Sequence, residues 1–124
     1  MTDARKTQGL RAHLAGRAAE EAVLRTYEAQ GYSQAATRWR SPAGEIDLIL
    51  RWGDMVIFVE VKQARNFERA AQALSARQAE RILSAAALFL DGEPRGQLTE
   101  TRLDLALVNG EGAVEIVENA FAGF

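Results

Sequence analysis

The stretch "GEIDLILRWGDMVIFVEVK", Gly44 to Lys62, decides how this chain is read. Gly53-Asp54 is a two-residue hairpin turn signal between two arms, Glu45 to Arg51 and Met55 to Lys62. With that loop, cross-strand partners sum to 107 in residue number, which sets Asp47 opposite Glu60 and Glu45 opposite Lys62. Strand side chains alternate between faces. Ile46, Leu48, Leu50, Ile57, Val59 and Val61 are therefore expected on one apolar face, with Glu45, Asp47, Glu60 and Lys62 gathered on the other, at one end.

Opposed carboxylates on a sheet repel by some tenths up to about 1 kcal/mol when exposed, and by more when partly buried. Lys62 or Arg102 could offset this as an ion pair, one acid could keep its proton, or a divalent cation could bind between the two acids. Glu45 is expected to salt-bridge Lys62, which leaves Asp47 and Glu60 needing a partner of their own. In isolation, such charges on a strand are most often simply solvated.

Moving outward, Leu10, Leu14, Ala18, Ala22, Val23 and Tyr27 recur at helical spacing over residues 10–30, and Gly31 ends the helix. Residues 1–9 are expected to be a flexible N-terminal segment. Tyr32 to Arg40 reads as a short strand, and "SPAG" at Ser41 to Gly44 is turn chemistry leading into the hairpin. Gln63 to Leu74 shows little periodicity. Ser75 with Gln78 fits a capping box opening a helix to about Leu90, which Asp91-Gly92 ends. Leu103, Leu105 and Leu107 alternate as a strand, Gly110 to Gly112 turns, and Val114 to Val117 pairs back. Residues 1–124 thus form one α/β domain with a mixed central β-sheet flanked by helices.

At 124 residues and 48% hydrophobic content there is room for one modest core. The absence of cysteine excludes disulfides and thiolate metal sites. No apolar run approaches bilayer length, so a cytoplasmic protein without membrane association is expected. A net charge of −2 argues against holding nucleic acid by bulk electrostatics. The charge is uneven, however. Residues 1–90 carry 13 Lys+Arg against 10 Asp+Glu, and residues 91–124 carry 2 against 7, which permits a local phosphate-binding face. Of the 15 basic residues 13 are Arg, so a lysine at 62 suggests a need for a compact ammonium rather than a planar guanidinium.

An Asp followed on the next strand by Glu-x-Lys, here Asp47 and Glu60-Val61-Lys62, resembles the PD-(D/E)xK nuclease superfamily. The chain as a whole resembles the YraN family within it. The likeness rests on Gly16-x-x-x-Glu20, Gly31-Tyr32, Trp39-Arg40, "GEIDLI" at Gly44 to Ile49, "IFVEVK" at Ile57 to Lys62, Arg102-x-Asp104 and "NAF" at Asn119 to Phe121.

The resemblance implies a restriction-endonuclease-like fold in which Asp47 and Glu60 ligate Mg²⁺ or Mn²⁺ and Lys62 stands beside the attacking water. Similarity to archaeal Holliday junction resolvases adds Glu20 from the first helix to that set. It also implies DNA as partner, on branched or single-stranded structures, and by analogy a homodimer. Arg40, Arg65 and Arg38 are the candidates for nucleic-acid contact. Two departures stand out: Ala64 displaces the expected arginine to Arg65, and Arg38 occupies a position where the family commonly has Asn. Glu45, Arg102 and Asp104 are secondary candidates, for which ion pairing is the simpler reading. His13 reads as solvated and Trp39 as a core-edge residue. A non-catalytic nucleic-acid-binding accessory protein in repair or recombination and a protein-interaction domain are the competing readings.

Overall fold

The structure, a computed structural model, describes residues 4–121. The chain runs α1 (Ala4–Ala29), β1 (Ser33–Ser41), β2 (Gly44–Trp52), β3 (Met55–Gln63), α2 (Phe67–Gln72), α3 (Ala76–Leu90), a 3-10 turn (Gly96–Leu98), β4 (Thr101–Val108) and β5 (Val114–Val117). The five strands form one sheet in sequence order, with β3 and β4 parallel and every other neighbouring pair antiparallel. The parallel pair needs a crossover, and α2 and α3 supply it.

The hairpin has the expected register. Trp52 faces Met55, Leu50 faces Ile57 and Leu48 faces Val59. Both faces of the hairpin are buried. On one, Leu48, Leu50, Ile57 and Val59 pack with Ala106 and Val108 against Ala19, Val23 and Tyr27 of α1. On the other, Ile49, Val56 and Phe58 pack against Ala85, Ala86 and Leu90 of α3. Ile46, expected with Leu48, belongs instead to the α3 cluster. The β2–β3 ladder stops at Leu48 and Val59, so from Asp47 outward β2 is free to turn toward β1 and α3.

Helix α1 begins at Ala4, ahead of the Leu10 start that periodicity gives. Residues 4–9 of the segment expected to be flexible are thus helical, and residues 1–3 lie outside the described residues. The buried stripe of α1 is Ala19, Val23 and Tyr27, whereas Leu10 and Leu14 are 59% and 56% exposed. Length explains the difference. A 26-residue helix is about 39 Å long, while a nine-residue strand spans about 30 Å, so the first turns overhang the sheet. The stretch read as unpatterned contains α2, started by Asn66, whose side chain accepts from Arg69 N at 2.8 Å.

Trp39 lies at the core edge, edge-on to Phe89 with ring centroids 5.3 Å apart. Among the described residues, no helix is long and apolar enough to cross a membrane.

Arg102 and Asp104 form a buried ion-paired network, as the simpler reading of these two residues expects. Asp104 is fully buried, and Arg102 holds it with two hydrogen bonds of 2.9 Å, from Nε and Nη2. Tyr27 Oη donates to Asp104 at 2.8 Å, Asn119 N donates at 3.0 Å, and Arg102 Nη2 also reaches Tyr32 Oη at 2.9 Å. Burial and the neighbouring Asp104 charge push the Tyr27 phenol far above its ordinary range, fixing it as a donor. Helix α1, strand β4 and the turn after β5 meet at this one carboxylate.

Candidate metal and phosphate site

The site forms where the β2–β3 ladder ends. In register, Asp47 and Glu60 are the next pair after Leu48 and Val59. There the Asp47 side chain takes over from the backbone, its Oδ2 accepting from Val61 N at 2.8 Å. The strands part, and the space between them holds the two acids. Glu60 is 6% exposed. Burial, then the hydrogen bond to Asp47 and the Asp47 charge, push its carboxyl well above the usual range, and Lys62 only partly opposes this. Pushed up to about 9, the Glu60 carboxyl favours its protonated form at neutral pH, hydrogen-bonded to Asp47.

Two adjoining cavities meet at the pair, both lined by Asp47, Glu60 and Gln78. The first, about 230 Å³, extends past Lys62 and Gln63 to Gly16, Ala19 and Glu20 of α1. The second, about 300 Å³, extends to Gly44, Glu45, Arg81 and Ile82. The acids thus floor a cleft between α1 and the first turns of α3.

Glu20 lines the first cavity, but its carboxylate accepts from Arg38 Nε at 2.9 Å. Accordingly, no group of three or more His, Cys, Asp or Glu side chains placed to hold a metal ion occurs among the described residues. Arg38 has φ +45°, a left-handed conformation that Asn tolerates better than Arg. The expected Glu45–Lys62 bridge is replaced by a loose surface pair, Arg40 Nε to Glu45 Oε2 at 3.6 Å, because the strands have separated before Glu45 could face Lys62. Lys62 is half-buried and makes no ion pair among the described residues. Arg40 and Arg65 line neither cavity, and Arg102 and Asp104 belong to the separate network.

Gln78 emerges as a site residue that its sequence position disguised. As Ser75 caps α3 by accepting from Gln78 N at 3.1 Å, Gln78 fits a capping box, whose third residue reaches back to the cap. Its side chain instead reaches forward, with Nε2 lying 3.5 Å from Glu60 Oε2. Arg81, one turn further along, gave no sequence signal beyond being an exposed helical arginine.

Two carboxylates in contact, free of cysteine and histidine, are the donor set a hard divalent cation takes. Mg²⁺ commonly uses only one or two carboxylates and completes its shell with water and phosphate oxygens. Asp47 and Glu60 fit that requirement, and the proton on Glu60 is what a cation would displace.

The fold defines a class: an α/β domain with a five-stranded mixed sheet between helices, consistent with the restriction-endonuclease-like arrangement. Within it, residues 19–108 match the uncharacterised protein family UPF0102, and the chain belongs to that family. It is 61% identical to a UPF0102 protein of Ruegeria pomeroyi over 115 residues, covering 93% of this chain and 94% of the relative. It is 50% identical to one from Ruegeria sp. strain TM1040 over 121 residues, covering 98% of each. A Cereibacter sphaeroides relative is 57% identical over 110 residues, 89% of this chain and 94% of its own length.

Proposed function

We propose that this protein is a metal-dependent nuclease of the PD-(D/E)xK type that hydrolyses DNA phosphodiester bonds. The observation that carries the reading is the pairing of half-buried Asp47 with buried Glu60, in a cavity shared with a lysine that has no ion-pair partner among the described residues. Asp47 and Glu60 would hold Mg²⁺ or Mn²⁺. When bound, such a cation lowers the pKa of a coordinated water and offsets charge developing on the phosphate.

The chain's own groups supply the rest. Lys62 donates hydrogen bonds from a half-buried ammonium, orienting the attacking water and stabilising the extra negative charge as the new P–O bond forms and the ester P–O bond breaks. Its three donors around a point charge suit a water beside a phosphate better than a guanidinium fork. Gln78 steadies Glu60. Asp47 is held in place by Val61 N, so its rotamer is set before substrate arrives.

A second reading, a nucleic-acid-binding accessory module without catalysis, is favoured by one observation: the Glu20 carboxylate is paired with Arg38. A cleavage screen separates the two, using duplex, single-stranded, flap and junction DNA with and without Mg²⁺ or Mn²⁺. Cation-dependent cutting that is lost in Lys62→Arg supports the nuclease. Salt-sensitive binding without cutting on every substrate supports the accessory module.

A further inference from the structure

The cavity on the α3 side has a cation that the proposed chemistry leaves unused. Arg81 lines it together with Asp47, Glu60, Gln78, Gly44 and Glu45. Its guanidinium makes no ion pair or hydrogen bond among the described residues, although two acids and a buried glutamic acid line the same space. Glu45, the exposed acid of that cavity, is engaged by Arg40. The base of the exposed Arg81 side chain lies beside Gly44, the first residue of β2. A Cβ on Gly44 would lie 3.7 Å from the Arg81 Cβ, an ordinary contact, so Gly44 and the base of Arg81 are packed neighbours, and the φ of +148° is what favours glycine there.

Lys62 and Arg81 thus stand in the two adjoining cavities, with the acid pair between them. We infer that Arg81 is a phosphate-binding residue, holding the nucleic-acid phosphate next to the one placed over Asp47 and Glu60. A strand then crosses the site from the first turns of α3 to the Lys62 side. The inference rests on the nuclease reading for which phosphate is cut, but Arg81's role shows in binding alone. Arginine suits it, since a guanidinium grips two phosphate oxygens at once.

The test measures binding of a fluorescent oligothymidylate to the full chain across a salt series in EDTA, so that no cleavage intervenes. Arg81→Ala should weaken binding on the order of tenfold and lower the slope of log K against log salt by about 0.7, one phosphate contact on a single strand. Arg81→Lys should keep the slope. Where the wild type cuts, Arg81→Ala should raise KM and leave kcat, and one methylphosphonate beside the cut should abolish the difference between the two proteins. Unchanged affinity and slope in Arg81→Ala would overturn the inference. An altered slope in a protein that cuts no substrate would keep the subsite while removing the nuclease.

Discussion

Asp47 Oδ2 accepts a hydrogen bond from the backbone N–H of Val61 at 2.8 Å, so the carboxylate of one strand grips the residue between Glu60 and Lys62 of the next. This bond links the two strands just where their ladder ends and the site begins. It puts the Asp47 carboxylate beside Glu60 and leaves Lys62 facing a cavity instead of Glu45.

Asparagine and alanine at position 47 should therefore behave differently. Asp47→Asn keeps an oxygen for Val61 N and leaves an amide that the protonated Glu60 carboxyl can still hydrogen-bond, so its stability in urea should stay within about 1 kcal/mol of wild type. Asp47→Ala leaves that N–H without its partner and should cost about 1–3 kcal/mol. Loss of several kcal/mol in Asp47→Asn would make the pair a structural network and not a site.

The acid pair also makes folding pH-dependent. Glu60 binds its proton more tightly folded than unfolded. The resulting stability is fully present below the ordinary glutamate pKa of about 4.3 and is lost as pH rises toward the raised folded value. Without divalent cations, urea stability should fall with rising pH across the neutral range, by up to about 1.4 kcal/mol per unit from this group. Glu60→Gln, neutral throughout, should remove that slope.

Arg38 restrains Glu20 from an unfavourable backbone conformation. Arg38→Asn relieves the left-handed strain and frees the carboxylate, so Mn²⁺ affinity should rise severalfold if Glu20 can join the acid pair. Unchanged affinity would remove Glu20 from the ligand set.

The Asp104 network predicts the opposite pattern. Asp104→Ala strands Arg102, Tyr27 Oη and Asn119 N together. It should cost about 3–5 kcal/mol by urea denaturation while leaving Mn²⁺ affinity unchanged in the protein that remains folded.

The fold was legible because the hairpin register follows from a two-residue loop and strict alternation, and Ser75 marked the start of α3 without help from tertiary structure. The site was half legible. Asp47, Glu60 and Lys62 stand close in sequence and on adjacent strands, so pairing alone brings them together. Glu45 and Lys62 were matched wrongly because alternation assumes that the ladder continues, and nothing in the sequence says that a side chain will take over a backbone N–H at Asp47. Gln78 and Arg81 reach the site only through the packing of α3 on the sheet, and a polar residue in a helix's first turns looks the same whether it faces water or an acid pair. Leu10 and Leu14 had the right period but lay beyond the sheet they were expected to cover.

The most direct test of the central claim, that Asp47 and Glu60 hold a divalent cation, is Mn²⁺ titration followed by electron paramagnetic resonance at neutral pH. One Mn²⁺ per chain should bind to the wild type, and affinity should fall at least about tenfold in both Asp47→Asn and Glu60→Gln. No binding by the wild type at millimolar Mn²⁺, or equal binding by all three proteins, would contradict it.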